Sequence, residues 1–279
     1  MIYVLLLVLV TAVWGSTFVL VKDAISHYPT LPFLAVRFAL AALVMILVVR
    51  RPPGWKLVRV GVPIGVALAA GYLLQTVGLQ TTSPGNAGLL TGLFVVFTPL
   101  LEGFIGVHVP VRTVVAALLA LAGTALLTGS GFALPHLGDL LVIGCALAFA
   151  VHIVLLSRWA PGLPPAPLAM VQMLTAALLF GGASLPQLRV PPTGVWFAIA
   201  VTGVLASALG FLIQTWAQSY LSASRTALVL STEPAWALAA AILLAGQHFG
   251  LGQALGAALL LVAIVGHEAL AIRAAATSK

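Results

Sequence analysis

An acidic residue stands in the middle of an apolar segment of this chain. Glu233 lies within residues 223–245, and Pro234 follows it directly. An ionised carboxylate at the centre of a bilayer costs about 3 kcal/mol or more, so it faces a wet cavity, pairs with a donor or stays protonated. Pro234 lacks a backbone N–H and leaves the carbonyl of Leu230 without its helical donor. We predict a binding site at which Glu233 holds a proton or an ammonium group. A protonated carboxyl bonded to a neighbouring helix is the structural alternative.

Two tryptophans lie at a similar depth. Trp14 and Trp236 are near the middle of their segments, and Trp236 follows Glu233 by three positions, which puts both side chains on one helix face. An aromatic wall beside a polar group suits an amphiphilic ligand, and ordinary packing is the alternative for both rings. The remaining tryptophans lie at segment ends, where we expect interfacial anchors: Trp55, Trp159, Trp196 and Trp216.

Further polar side chains complete the predicted lining. Gln75 and Gln214 occupy equivalent positions of two apolar segments, so they either bond to neighbouring helices or line a cavity. His152 lies deep in a segment, where proton relay or substrate contact competes with a satisfied core histidine. Arg37 is expected to extend towards the outer membrane interface, and binding of a substrate carboxylate is the alternative. Weaker candidates for the lining are Ser16, Thr17, Tyr72, Asn86 and Thr91.

The segments that carry these residues are too apolar for a soluble protein. Hydrophobic residues make up 62% of the 279 residues and charged residues only 6%, against about 25% charged residues in soluble domains. Apolar runs of about 20 residues predict membrane-spanning helices, because backbone polar groups in lipid must bond within the segment. The sequence therefore predicts an all-α polytopic membrane protein. Its ten predicted spans are 2–21, 32–49, 60–79, 86–105, 111–127, 140–156, 167–184, 194–217, 223–245 and 251–270.

The chain repeats itself at half its length. A Gln-Thr pair at 75–76 returns at 214–215, which is 139 positions later. With five predicted spans in each copy, the two halves must lie in the bilayer with opposite orientations. We predict two inverted five-helix repeats, at residues 1–127 and 140–279, joined by a linker at 128–139. Inverted repeats recur in secondary transporters, whose substrate site lies near the bilayer midplane between them.

Basic residues predict how the bundle is oriented. The chain carries 12 Lys and Arg against five Asp and Glu. Ten spans place nine of these cations on the side of both termini and three on the other side. Cytoplasmic loops carry an excess of Lys and Arg, so we predict a multi-pass protein of the cell inner membrane with both termini in the cytoplasm. Orientation and contact with lipid headgroups account for these charges, and no nucleic-acid partner is expected.

Several motifs resemble the EamA-type members of the drug/metabolite transporter superfamily. They are residues 14–18 (WGSTF) with Lys22 ending that helix, 82–87 (TSPGNA), 222–227 (SASRTA) and 230–234 (LSTEP). The resemblance covers the whole chain in two tandem copies. It implies a ten-helix fold with a central cavity, alternating access, and export of small metabolites that are often amino acids. One departure is Gln247 after Gly246, where the family often has Gly-Glu.

Motifs for covalent chemistry are absent from the sequence. It contains no Gly-x-x-x-x-Gly-Lys and no Gly-x-Ser-x-Gly, and His267-Glu268 lacks the second histidine of a zinc protease motif. We therefore expect a protein that is not an enzyme and that uses no cofactor and no metal. An intramembrane enzyme, a channel and a scaffold without carrier activity are the alternatives.

These features together predict a secondary transporter. It would export small organic metabolites, amino acids or related compounds, across the cytoplasmic membrane by alternating access. Its central cavity would be lined by the first, third, fourth, sixth, eighth and ninth spans. Glu233 would provide proton coupling, and facilitated diffusion is the alternative. The expected partners are a small-molecule substrate and the lipid bilayer, and the chain is expected to be a monomer or a homodimer.

Overall fold

Helices account for the regular structure of this chain. The computed structural model describes residues 2–82, 84–128, 136–236, 239 and 250–277. Short turns join the helices, and no strand occurs among these residues. This confirms the expected all-α architecture, which follows from the need of apolar segments to satisfy their backbone hydrogen bonds internally.

The helices are numbered here in chain order. The first half contributes α1 (Ile2–His27), α2 (Thr30–Val49), α3 (Trp55–Gly78), α4 (Pro84–Thr91), α5 (Phe94–Phe104) and α6 (Val111–Thr128). The second half begins with α7 (Leu137–Trp159) and α8 (Pro165–Ser184), followed by short 3-10 turns at Leu185–Gln187 and Thr193–Val195. It continues with α9 (Trp196–Ala200), a π-helix at Val201–Leu209, α10 (Gly210–Gln218), α11 (Ala223–Leu230) and α12 (Leu251–Thr277).

Seven helical stretches among the described residues are long and apolar enough to cross a membrane. Two shorter apolar helices, Val111–Leu126 and Leu251–His267, coincide with the fifth and tenth predicted spans. The ninth predicted span, 223–245, is described as far as residue 236, and most of its remainder lies outside the described residues. The lengths and compositions describe a multi-pass membrane protein, while the number of ten spans stays a prediction.

The fourth predicted span, 86–105, is interrupted within the membrane. α4 ends at Thr91 and α5 begins at Phe94. Between them the backbone makes a tight turn, in which the amide of Val95 donates to the carbonyl of Gly92 at 3.0 Å. Glycine in a helix interior is less stable than alanine by about 1 kcal/mol, so Gly92 favours a break at this point.

A second interruption lies 139 positions later. α11 ends, two turn residues follow, and helical conformation resumes at Glu233. The amide of Ala235 donates to the carbonyl of Thr232 at 3.0 Å, the counterpart of the bond in the first interruption. Pro234 cannot donate to the preceding turn, and the hydroxyl of Thr232 lies 2.7 Å from that of Thr11 on α1. The missing donor and the side-chain contact together stabilise the interruption of the helix.

The contacts between helices come in pairs that exchange the two halves. α2 packs against α8, which are the second helices of each half, and α6 packs against α12, which are the fifth. The contact of α3 with α7 has a counterpart in that of α1 with α10. The contact of α4 with α7 is matched in the same way by that of α1 with α11. Such pairing is expected of a fold built from two similar repeats.

Close packing between α3 and α8 depends on two glycines of α3. A Cβ atom at Gly61 would lie 2.6 Å from Cγ1 of Val171, and one at Gly65 would lie 2.7 Å from Cβ of Thr175. Small residues let membrane helices approach closely. The contact fixes α3, which carries two of the predicted lining residues further along its length.

Candidate functional site

A cavity of about 50 Å³ lies between helices of both halves. Residues on either side of the two helix interruptions form part of its wall: Thr91, Phe94, Leu230 and Glu233. The rest of the wall consists of Trp14, Thr17, Phe18, Val21, Arg37, Tyr72, Gln75, Leu79, Phe149, His152, Ile153, Phe211 and Gln214. All six expected spans contribute, and α2 adds Arg37.

Arg37 lies in the cavity wall, so its expected extension to the outer interface was wrong. Its side chain is only 3% exposed. Nε donates to the hydroxyl of Ser207 at 3.0 Å, and the guanidinium carbon lies 4.4 Å from the centre of the Tyr72 ring. Packing of α2 against the π-helix turns Arg37 inward, because that π-helix supplies Ser207. Guanidinium groups stack on aromatic faces and bind carboxylates through paired donors.

Glu233 occupies the wall without a protein partner in the described part of the chain. Its side chain is 9% exposed. Neither a hydrogen bond nor an ion pair within the described residues reaches its carboxyl group. The interruption ahead of it places the carboxyl at the cavity rather than against the helix that it belongs to. The group is therefore available to a proton or to a cationic part of a ligand.

Tyr72 connects the acidic and basic parts of the cavity. It carries Arg37 on its ring face and lies within electrostatic range of Glu233. Its ring makes edge contacts with Phe149 at 5.4 Å and with Phe211 at 5.9 Å between ring centres. Aromatic neighbours hold Tyr72 in place, so the cavity has a guanidinium group, a carboxyl group and a hydroxyl group on an aromatic frame.

An amide pair on α10 leaves one acceptor unused. The amide nitrogen of Gln218 donates to the carbonyl of Ile153 at 2.9 Å, so its oxygen must be the atom that accepts from Gln214 at 2.7 Å. Gln214 therefore presents its nitrogen to Gln218. Its own oxygen is buried and has no hydrogen-bond partner among the described residues. Because Gln214 borders the cavity, a donor on a ligand or a water molecule would satisfy this oxygen.

Trp14 is fixed by the irregular eighth span. Its Nε1 donates to the carbonyl of Ala206 in the π-helix at 2.7 Å, and its ring packs on Phe211 with 5.2 Å between centres. A Cβ atom at Gly210 would lie 3.0 Å from Nε1 of Trp14. The π-helix and the small residue beside it thus let Trp14 reach the cavity wall.

His152 is tied into a structural network at the cavity edge. Its Nε2 lies 2.9 Å from Oε1 of Gln172. Since Nε2 of Gln172 donates to Leu168 and Thr215, Oε1 must accept, and the proton of His152 sits on Nε2. This arrangement matches a satisfied core histidine whose ring also forms part of the wall.

The other predicted residues are placed unevenly. Gln75 does both things expected of it, since it borders the cavity and donates to the hydroxyl of Thr91 at 3.2 Å. Ser16 is exposed on the outside of α1 and bonds to its own helix. Trp236 is 38% exposed and outside the cavity wall, because the short helical stretch that resumes at Glu233 turns its side chain towards the outer surface. The side chain of Asn86 lies outside the described part of the structure.

Four aromatic residues of the wall were missed from the sequence, namely Phe18, Phe94, Phe149 and Phe211, and a pattern marks the last two. Phe149 and Phe211 each precede a polar lining residue by three positions, as Tyr72 precedes Gln75. Residues three apart share a helix face. This recurrent pair of an aromatic and a polar side chain is the signal that could have found them.

Comparison with known proteins gives one family for both halves. Residues 1–129 and 136–267 match the model of the EamA-like transporter family. An uncharacterized transporter of Archaeoglobus fulgidus is 33% identical over 264 residues, which cover 93% of this chain and 83% of the relative. The uncharacterized transporter YyaM of Bacillus subtilis is 28% identical over 239 residues, 79% of this chain and 78% of the relative.

A solved structure is similar over nearly the whole chain. A crystal structure of another protein superposes with a TM-score of 0.80 and covers 96% of this chain and 97% of its own. Its sequence is 20% identical, so this likeness concerns the fold alone.

Proposed function

The chain belongs to the EamA-like transporter family, and on this premise we propose that it is a secondary carrier that exports small organic metabolites. The observation that carries the proposal is a cavity between the two halves that contains a buried Arg37 together with the Glu233 carboxyl and the Gln214 amide oxygen, neither of which has a hydrogen-bond partner among the described residues. Such a set of polar groups in an aromatic wall suits reversible binding of a small polar molecule. It supplies no nucleophile with an activating base, and we infer a carrier rather than an enzyme.

Amino acids or related compounds are the proposed substrates. Arg37 offers paired donors to a carboxylate, and Glu233 offers a carboxylate to an ammonium group. Both border the same cavity, and no ion pair joins them within the described residues. A zwitterion would satisfy both charges at once, whereas a simple amine or acid would leave one of them uncompensated.

The proposed mechanism is alternating access between two inverted repeats. Interrupted helices at equivalent positions of the halves, and helix contacts that exchange the halves, support this mechanism. Transporters use discontinuous helices of this kind around a midplane site. The excess of basic residues on the side of the termini supports a cytoplasmic location of both, in the cell inner membrane. Proton coupling through Glu233 is part of the proposal.

A panel of matched solutes in proteoliposomes tests the substrate class. The panel contains a neutral amino acid, the amine that lacks its carboxylate and the acid that lacks its amino group. Loss of one charged hydrogen-bond partner should lower the apparent affinity about 10- to 100-fold. Arg37→Gln should remove the preference for the amino acid over the amine, and Glu233→Gln the preference over the acid. Ser16→Ala, on the outer surface of α1, is the matched control.

Equal transport of all three solutes by the wild-type protein would overturn the proposed substrate class. Retention of both preferences in the two variants would show that other residues recognise the carboxylate and ammonium groups of the substrate.

A further inference from the structure

A groove lies at the end of the bundle where α3 begins and α7 ends. Its volume is about 550 Å³, within the range of small-ligand sites in proteins. Its wall combines cationic and aromatic side chains with three apolar residues. The charged and aromatic members are Trp55, Lys56, Arg59, Arg158 and Trp159.

The cations of the groove have no partner within the described part of the chain. No hydrogen bond or ion pair there involves the side chains of Lys56, Arg59 or Arg158. Among the described residues, none that lines the groove is acidic. Three like charges in one concavity repel each other and attract an anion, so the groove is electrostatically complementary to a negatively charged group.

Tryptophans mark the groove as a membrane-interface site. Trp55 is 73% exposed and Trp159 is 38% exposed, and each lies at the end of a membrane helix. Tryptophan rings favour the headgroup level of a bilayer. A ligand held between them would lie where the phosphates of the adjacent lipid leaflet lie.

An apolar strip leads from the groove along α3. Val62 and Val66 follow Arg59 at three and seven positions, which places them on the same helix face. Their exposed fractions are 39% and 46%. A molecule with an anionic head in the groove and acyl chains along this strip would match both surfaces, whereas a free inorganic anion would leave the strip unused.

We propose that this groove binds the headgroup of an anionic phospholipid. The phosphodiester lies among Lys56, Arg59 and Arg158, and the two tryptophans flank the glycerol region. Basic pockets between membrane helices are a known type of lipid headgroup site. The site is separate from the central cavity and does not depend on the substrate that is carried.

Native mass spectrometry of the full chain in mild detergent tests the site. The protein is titrated with phosphatidylglycerol and, separately, with phosphatidylethanolamine, which carries no net charge. We expect one phosphatidylglycerol to bind more tightly than phosphatidylethanolamine. Each cation near a membrane surface favours an anionic lipid about fivefold, so Arg59→Gln with Arg158→Gln should weaken binding about tenfold or more. The matched control, Arg51→Gln with Arg112→Gln, removes two cations from the same end of the bundle but outside the groove.

Three outcomes would overturn the proposal. Equal affinity for the two lipids would exclude recognition of the anionic headgroup. An equal loss of phosphatidylglycerol affinity in the control variant would show that the lipid responds to general surface charge and not to the groove. Competition by millimolar inorganic phosphate as effective as that by the lipid would assign the groove to a soluble anion.

A second measurement applies if the groove variant is unstable. Brominated phosphatidylglycerol quenches tryptophan emission on contact. The additional quenching over brominated phosphatidylcholine should disappear in Trp55→Phe with Trp159→Phe. Persistence of that difference in the double variant would also contradict the site.

Discussion

At the scale of residues, the cavity contains a basic and an acidic side chain that are not paired with each other among the described residues. Arg37 is held by Ser207 and by the ring of Tyr72, while Glu233 has no partner among the described residues. Placing charges in a low-dielectric site is costly unless something compensates them. A ligand, water or a proton must therefore take part in the energetics of this site.

Substitution of Glu233 tests the proton-binding role. Glu233→Gln keeps the size and hydrogen-bonding capacity of the side chain but cannot titrate. We expect transport by the variant to lose its response to a pH gradient, and exchange of unlabelled for labelled substrate to become pH-independent. Flux measured in proteoliposomes with and without the gradient reads this directly. An unchanged pH response in the variant would remove Glu233 from the coupling mechanism.

The contrast between Glu233 and Arg37 shows which residues of the site could be predicted from the sequence. A carboxylate in the middle of an apolar segment is unusual for its depth alone, so Glu233 could be predicted. Arg37 lies seven positions after the start of α2. At this depth a long side chain can extend either to the outer membrane interface or into the bundle. The choice depends on the rotation of α2 against the π-helix, and this rotation is a property of tertiary packing. For the same reason Ser16 and Trp236 were predicted at the right depth but lie away from the cavity wall.

At the scale of elements, the π-helix and the two interruptions shape the cavity. Each frees the backbone from regular α-helical bonding near the site, and side chains use the space that results. Trp14 bonds to a carbonyl of the π-helix, and Thr11 contacts the second interruption. The sequence predicted the second interruption through Pro234. The first, at Gly92, and the π-helix have no comparable marker.

Enlarging Gly210 tests the contribution of the π-helix. In Gly210→Ala the new Cβ would lie 3.0 Å from Nε1 of Trp14, so the bond from Trp14 to Ala206 should lengthen or break. We expect a loss of about 1–3 kcal/mol in stability and a lower apparent affinity for substrate. Gly182→Ala is the control, because its Cβ would meet no atom within 4 Å. Thermal unfolding and transport of the two variants distinguish a role of the contact between Gly210 and Trp14 from a general effect of alanine. Equal losses in Gly210→Ala and Gly182→Ala would refute the role of this contact.

A contact between the fourth helices of both halves closes one end of the bundle. Glu102 on α5 accepts hydrogen bonds from the backbone amide of Ser224, at 3.0 Å, and from its hydroxyl. This end also carries the stacked rings of Tyr3 and Tyr220, with 4.4 Å between centres. At the opposite end, Lys22 donates to carbonyls that follow α3. Alternating access requires the two ends to open in turn.

Weakening the Glu102 contact should therefore expose the cavity more often. The chain contains one cysteine, Cys145, which is fully buried and contacts Thr91 of the cavity wall. We expect Glu102→Gln to raise the rate of alkylation of Cys145 by a small maleimide about tenfold, since a hydrogen bond to a charged group contributes about 1.5–3 kcal/mol. Ser16→Ala should leave the rate unchanged. An unaltered rate in Glu102→Gln would mean that this contact does not limit opening.

At the scale of the whole molecule, two similar halves enclose a site that is not symmetric. Helix contacts exchange the halves, and both fourth helices are interrupted at equivalent positions. Yet the second half has Glu233 where the first, 140 positions earlier, has Leu93. The repeated scaffold was readable from matching residues in the sequence. The cavity depends on how the halves pack, which residue matches alone do not determine.

The volume of the cavity also shows how closed this conformation of the protein is. A space of about 50 Å³ holds a handful of water molecules. Binding of even a small amino acid therefore requires the walls to move apart. Helix movements around a fixed site provide this space in the proposed mechanism.

Counterflow in proteoliposomes tests the central claim, that this protein is a carrier whose site includes Arg37 and Glu233. Vesicles are loaded with an unlabelled mixture of neutral amino acids and diluted into the same mixture with a radioactive label. We expect a transient accumulation of label that saturates with concentration, is absent from empty vesicles, and is lost in Arg37→Gln and Glu233→Gln but not in Ser16→Ala. Label entry that is the same with empty and loaded vesicles, or that both variants leave intact, would contradict the account.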